Sequence, residues 1–120
     1  MAFERQIIFY KRYFLDFYEE QPEDVQSKIE WTLGLIRVTL HVPEKHFKHM
    51  EGTKGLYEIR VEVGNNIYRI FSFFDHGNIV VVGNAYIKKT QKTPKKEIER
   101  ALRIMEEYKN EKGRKLHNNF

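Results

Sequence analysis

Two arginines stand on neighbouring predicted strands, in a pattern that can bind an anion. Arg60 lies in the alternating segment LYEIRVEV and Arg69 in the apolar segment IYRIFSFF, with a Gly-Asn-Asn turn between the segments. Paired antiparallel strands lie about 4.8 Å apart, so two guanidinium groups can converge on one phosphate. Burying an unpaired guanidinium is costly, and an ion pair of Arg69 with Glu58 or Glu62 would also satisfy it. The residues alone leave both interpretations open, and Arg60 can equally belong to a solvated face of alternating charge.

Lysines are concentrated directly after the last predicted strand. Five of them fall within nine residues that contain no acid: Lys88, Lys89, Lys92, Lys95 and Lys96. The segment leads into the start of a predicted helix, where free backbone N–H groups favour a bound phosphate. Tyr86 and Tyr108 flank the segment, and each can stack on a base or pack at the rim of the domain. The pattern favours phosphate binding over a solvated basic loop.

Histidines supply the remaining candidates for proton transfer. His41, His46 and His49 share one predicted loop, and a free histidine titrates near pH ~6.5. His49 is the best candidate because it precedes the hairpin that carries Arg60. The spacing of His46 and His49 offers no third ligand in a known pattern, so neither a metal nor another cofactor is predicted.

The composition indicates one domain without a membrane segment. The chain has 120 residues, of which 41% are hydrophobic and 14% aromatic, too many for a disordered protein. No apolar run approaches the roughly 20 residues that cross a bilayer, and the N-terminal residues do not resemble a secretory signal. The lack of cysteine excludes thiol nucleophiles and fits a cytoplasmic protein. The net charge of +4 is concentrated in residues 88–120, which predicts a polyanionic partner.

Changes of hydrophobic period predict the element order β-α-α-β-β-β-α. The predicted strands cover residues 6–10, 56–63, 67–74 and 79–87, and the predicted helices cover 11–20, 22–40 and 93 onward, with a loop at 41–55. Segregated helices and strands indicate an α+β domain, a small antiparallel sheet covered by helices on one face. We expect a single domain over residues 1–108 and a flexible polar tail over 109–120.

Three segments together resemble the RelE/ParE toxin superfamily, most closely its HigB-like, phage-derived branch. They are GLYEIRVEVGNNIYRIFSFF, IVVVGNAY and IKKTQKTPKKEIERA, and the resemblance extends over residues 7–108. It implies a RelE-like fold, with an N-terminal helical hairpin and one C-terminal helix, and a toxin of a type II toxin–antitoxin pair. The implied partners are a helix-turn-helix antitoxin, the ribosome and mRNA, with DNA reached only through the antitoxin and no membrane involved.

The resemblance also implies an activity and a set of residues for it. RelE and HigB members cleave mRNA, so a metal-independent endoribonuclease is expected, in which a ribose 2′-OH attacks the adjacent phosphate. Arg60 and Arg69 would stabilise the phosphorane, and Lys88 or Lys89 would act as base, with His49 as the alternative acid or base. RNA binding would fall to Lys92, Lys95, Lys96 and Tyr86.

The chain departs from the family pattern at two places, and further functions stay open. Many relatives carry an arginine where this chain has Lys88 and Lys89, and some use a tyrosine of the C-terminal helix, for which Tyr108 is available here. ParE members share the fold but inhibit DNA gyrase without nuclease activity. A plain nucleic-acid-binding module and a degenerate toxin that only binds its antitoxin are also compatible with the sequence.

Overall fold

The computed structural model describes residues 3–88 and 92–118, with residues 114–118 as backbone only. Within these residues the chain forms, in order, β1 (Gln6–Phe9), α1 (Tyr13–Glu19), α2 (Glu23–Val38), β2 (Phe47–His49), β3 (Leu56–Val63), β4 (Asn66–Phe74), β5 (Ile79–Lys88) and α3 (Lys95–Asn118). The α+β class and the predicted order of the elements are confirmed, with β2 as an additional strand. None of the helices in this part of the chain is long and apolar enough to cross a membrane.

The strands form one sheet in the order β1-β5-β4-β3-β2. β1 pairs with β5 in parallel, and the other neighbours are antiparallel. β5 therefore lies inside the sheet, and its residues Val80, Val81 and Val82 are fully buried. Such an internal position suits a strand whose residues are apolar on both faces.

The prediction of a continuous loop at residues 41–55 is wrong, because β2 lies within that range. Phe47 is buried, and its ring stacks on Tyr57 of β3 with 4.9 Å between centroids. A strand of three residues with one buried side chain is too short to produce a recognisable period. β2 extends the sheet beside β3 and places Lys45 and His46 next to Arg60.

The prediction that helices cover only one face of the sheet is also wrong. α1 and α2 pack on one face, where Val25, Ile29 and Ile36 meet Ile59 and Ile70. The opposite face carries α3, with these residues buried in its interface: Leu56, Phe71, Phe73, Val81, Ala101 and Met105. Strands that are apolar on both faces must be buried on both faces, and α3 buries the second one. α3 packs closely over β5, since a Cβ at Gly83 would lie in van der Waals contact, 3.4 Å from the Ile104 side chain.

α3 continues to Asn118, although the sequence pattern predicts a flexible tail after Tyr108. The segment is tied to the turn that follows β4. The Tyr108 hydroxyl donates to Asp75 at 2.5 Å, and the Lys112 Nζ lies 2.5 Å from the same carboxylate. The Tyr10 hydroxyl donates to Glu111. These long-range polar contacts leave no periodic trace in the sequence, which explains why the helix is longer than its apolar stripe indicates.

Candidate phosphate-binding site

Side chains from the three central strands meet on the face of the sheet that carries α3. Arg60 pairs directly with Arg69 across β3 and β4, and Arg69 pairs with Tyr86 across β4 and β5. Residues in direct register point to the same face, and residues two apart on a strand share it. Lys88 therefore lies on this face beside Tyr86. The structure thus brings together four of the residues singled out from the sequence.

Arg69 is a buried residue held by one carboxylate. Its side chain is 9% exposed and forms an ion pair with Glu58, which is 6% exposed. This is one of the two ion pairs that the sequence allowed in place of anion binding. Removing one partner of such a pair leaves an uncompensated buried charge, whereas the intact pair fixes the guanidinium in place. Arg69 therefore has a structural role, whatever else it binds.

Arg60 is more accessible and is paired only at the surface. Its Nη2 lies 2.8 Å from Glu62, whose side chain is 61% exposed, while the Arg60 side chain is 35% exposed. An exposed pair of this kind contributes little, because water and salt screen it. Arg60 can therefore exchange Glu62 for an incoming anion at small cost.

Lys88 lies in a positive environment that favours its neutral form. Its pKa is lowered, first by burial and then by the charges of Arg69 and Arg60, while Glu58 acts in the opposite direction. A lysine with a lowered pKa is a better proton acceptor near neutral pH than an exposed one. The environment of Lys88 is therefore that of a candidate general base.

Several buried polar atoms around this site lack a hydrogen-bond partner among the described residues. They include Glu58 Oε2, Arg60 Nε, Arg69 Nε and Glu97 Oε2. Burial raises the pKa of Tyr86 beside them and keeps its hydroxyl protonated, although the Thr93 side chain acts in the opposite direction. A buried polar group without a partner costs about 1–3 kcal/mol, so folded proteins seldom collect them without a reason. Their concentration makes this part of the sheet a candidate site for a polar ligand.

The start of α3 lies over the same site. Ile98 packs against the cluster that includes Tyr86 and Phe71, whose rings stack with 5.8 Å between centroids. Lys92, Lys95 and Lys96 are exposed there; Lys95 Nζ lies 3.9 Å from Glu99. Lys89 lies outside the described residues. Lys92, Lys95 and Lys96 therefore give the segment at the start of α3 an exposed basic surface.

The structure separates His49 from the arginines. His49 pairs with Tyr57 and contacts its ring, with 5.3 Å between centroids. Alternation along β3 sends Tyr57 to the α1–α2 face and Arg60 to the α3 face. His49 is thus not brought together with the other predicted catalytic residues. Sequence reasoning missed Glu97, which has one buried carboxylate oxygen and whose charge raises the pKa of Tyr86. A single acid in a helical segment carries no signal of such a position.

Comparisons with known proteins agree with this architecture. The family model for the phage derived protein Gp49-like (DUF891) matches residues 16–106. The archaeal RelE–RelB complex from Pyrococcus horikoshii OT3 contains a similar chain, with a TM-score of 0.51 and 15% identity over 71% of this chain and 93% of that one. This likeness shows that the fold is RelE-like. No curated protein matches the sequence. Because the family model covers most of the chain, the protein belongs to the family of phage derived, Gp49-like proteins (DUF891).

Proposed function

We propose that this toxin is a ribosome-dependent mRNA endoribonuclease that inhibits translation in the cytoplasm. One observation carries the proposal: Arg60, Arg69 and Lys88 lie on one face of adjacent strands, with unpartnered buried polar atoms between them. Such a group of cations suits the dianionic charge that develops on a phosphate during cleavage.

The reaction is an attack of a ribose 2′-OH on the adjacent phosphorus. Neutral Lys88 accepts the 2′-OH proton while the 2′ oxygen bonds to phosphorus, and the bond from phosphorus to the 5′ oxygen breaks. A proton donor protonates the departing 5′ oxygen to give a 5′-OH end, and the other product ends in a 2′,3′-cyclic phosphate. Arg60 contacts the phosphorane directly, and Arg69 adds positive charge from its buried position. The side-chain cations serve where other nucleases use a metal.

The ribosome completes the site by positioning the mRNA. Alignment of the 2′-OH, phosphorus and leaving oxygen lowers the barrier strongly, and the toxin itself offers few groups for that alignment. The similar archaeal RelE is seen in complex with RelB. By analogy, this toxin binds a helix-turn-helix antitoxin and reaches DNA only through it.

The decisive experiment is induced expression followed by mapping of mRNA 5′ ends within minutes. The informative variant is Arg60→Ala, because Arg60 is accessible and Arg69 is buried against Glu58. Arg103→Ala is the matched control, since Arg103 is exposed on α3 away from the site. We expect growth arrest and new cuts within translated codons for the wild type and the control. Arg60→Ala should lower the frequency of the cuts by roughly 10²–10³-fold, the usual loss of rate when one hydrogen-bond donor to the transition state is removed.

Different outcomes would identify different functions. Arrest without new cuts, with inhibited DNA supercoiling, would identify a ParE-like gyrase inhibitor. Absence of arrest with tight antitoxin binding would identify a degenerate toxin. Arrest and cuts that persist unchanged in Arg60→Ala would remove the arginine pair from the mechanism.

A further inference from the structure

A second basic surface adjoins Arg60 on the edge of the sheet away from α3. A pocket of about 270 Å³ lies between α2, the residues that precede β2 and the middle of β3. Its lining includes the cations Lys28, Lys45 and Arg60, together with His46 and one carboxylate, Glu62. Arg60 is therefore shared between this pocket and the proposed cleavage site.

An exposed tryptophan stands beside the pocket. Trp31 is 52% exposed, an unusual position for the single tryptophan of the chain. Its ring contacts His46 edge to face with 5.8 Å between centroids, and Lys28 Nζ lies 4.4 Å from its centroid. These contacts orient the ring at the rim of the pocket while leaving about half of its surface free.

His46 joins the pocket to the sheet. Its backbone carbonyl accepts a hydrogen bond from the Arg60 N–H at 3.0 Å. Its pKa is lowered by burial and by the charges of Lys45 and Lys28, with Glu62 acting in the opposite direction. The imidazole is thus a neutral donor and acceptor near pH 7, surrounded by positive charge.

We propose that this pocket binds a nucleotide of single-stranded RNA next to the cleaved phosphate, with Lys28, Lys45 and Arg60 on its phosphate and Trp31 stacked on a base. The inference rests on the proposed function, since Arg60 connects the two sites. Basic grooves with exposed aromatic rings are typical of single-stranded nucleic-acid binding. An acidic peptide would use the cations but would give no role to the exposed indole, so RNA is the favoured occupant.

The test measures RNA binding without cleavage. A fluorescent hexamer of 2′-O-methyl RNA cannot donate a 2′-OH, and its affinity can be followed by anisotropy. We expect Trp31→Ala to weaken binding by roughly tenfold, in line with loss of one base–aromatic stack. Trp31→Phe keeps a ring and should recover most of that affinity.

The lysines are tested through the salt dependence of binding. The Lys28→Ala/Lys45→Ala variant should lower the slope of log affinity against log salt by about 0.7 for each phosphate that a lysine no longer neutralises. The Lys54→Ala/Lys109→Ala variant is the matched control, because both lysines are exposed and lie outside the pocket. In NMR titrations, the hexamer should raise the pKa of His46, because a bound phosphate offsets the neighbouring cations.

Two results would overturn the inference. One is unchanged affinity, salt slope and His46 titration in the pocket variants. The other is normal RNA affinity combined with weakened antitoxin binding, which would make the pocket a protein-docking surface. Neither result depends on catalysis, so they are distinguishable from a failure of the mRNA mapping experiment. If the wild type makes no cuts in mRNA but the pocket variants still weaken RNA binding, the nuclease proposal is rejected and the RNA-binding site is retained.

Discussion

α3 covers two polar clusters, one at each end, and they differ in how well their atoms are paired. Near its C-terminal end, Asp75 accepts hydrogen bonds from Tyr108 at 2.5 Å and from Lys112 at 2.5 and 2.7 Å. Near its N-terminal end, Arg69 and Glu58 form a buried pair, but the second Glu58 oxygen and the Arg69 Nε have no partner among the described residues. The same helix and sheet thus hold one fully paired cluster and one incompletely paired cluster.

The difference indicates what each cluster contributes. Paired polar atoms at a helix end fasten the helix and satisfy the desolvated groups. Incompletely paired cations lower the stability of the free protein, and this loss is offset only when an anion binds to them. The proposed function therefore predicts that the Asp75 cluster serves folding and that the Arg69–Glu58 cluster, with Lys88 and Arg60, serves ligand binding. Substitutions confined to one cluster, with both stability and cleavage measured, test this assignment.

Lys88→Met should have the largest effect on cleavage. Loss of a general base typically lowers a rate by about 10²–10⁴-fold, whereas removal of a partly buried cation that is repelled by Arg69 and Arg60 should not destabilise the fold. The measurement is the cleavage rate on programmed ribosomes, together with urea unfolding. In the wild type the rate should rise with pH as Lys88 loses its proton, because only the neutral amine accepts one.

Lys88→Arg is the control for charge at this position. It keeps a cation but cannot deprotonate near neutral pH. If Lys88 is the general base, Lys88→Arg should therefore be as inactive as Lys88→Met. Full activity of Lys88→Arg would show that the residue only supplies charge.

Breaking the Arg69–Glu58 pair should have the largest effect on stability. Arg69→Met leaves Glu58 buried without its partner, and we expect a loss of about 3–5 kcal/mol in the free energy of unfolding. The variant Glu58→Met/Arg69→Met removes both charges and should recover most of that stability. If Arg69 also stabilises the phosphorane, the stable double variant should still cleave at least tenfold more slowly than the wild type. Wild-type cleavage by the double variant would restrict Arg69 to a structural role.

The sequence indicates the elements of this fold better than the polar contacts between them. The switch from the helical stripe of Val25, Ile29 and Ile36 to the alternation of Leu56–Val63 predicts helix and hairpin, because burial of one face imposes each period. The alternation also places Arg60 opposite Arg69 once the hairpin turn is recognised. By contrast, β2 depends on one buried ring, and Tyr108 and Lys112 of α3 are held by Asp75, far away in the chain. Neither leaves a local pattern.

The candidate site shows the same division. Residue type and strand register predict that Arg60 and Arg69 lie together, and the family resemblance adds Lys88 to them. They do not predict that Arg69 is buried on Glu58 while Arg60 is accessible, because that depends on where α3 covers the face. The pocket beside Trp31 was missed for a similar reason. Only its position off the buried stripe distinguishes Trp31 in the sequence, and the pairing of β2 with β3 brings His46 beside it.

The smallest effect concerns the fully paired cluster and should appear in stability alone. Asp75→Ala removes acceptors for Tyr108 and Lys112, and we expect a loss of roughly 1.5–3 kcal/mol in the free energy of unfolding, as for hydrogen bonds to a charged group. Cleavage per folded molecule should not change, because the cluster lies at the other end of α3. Glu51→Ala, in an exposed loop, is the control and should be neutral in both measurements.

The pH dependence of unfolding gives the sharpest form of this prediction. Hydrogen bonds from Lys112 and Tyr108 hold the pKa of Asp75 below its usual value, so its contribution is complete above the unfolded pKa of about 3.9 and is lost as pH falls through the folded value. Burial and the bond to Asp75 raise the pKa of Tyr108 to about 12, so the Tyr108 contribution persists up to pH ~10 and is lost as pH rises towards the folded value. The difference in stability between the wild type and Asp75→Ala should therefore be a plateau between these limits that shrinks on both sides. A difference that stays constant from about pH 3 to about pH 11 would show that the cluster acts through packing, and the contrast between the two ends of α3 would lose its electrostatic basis.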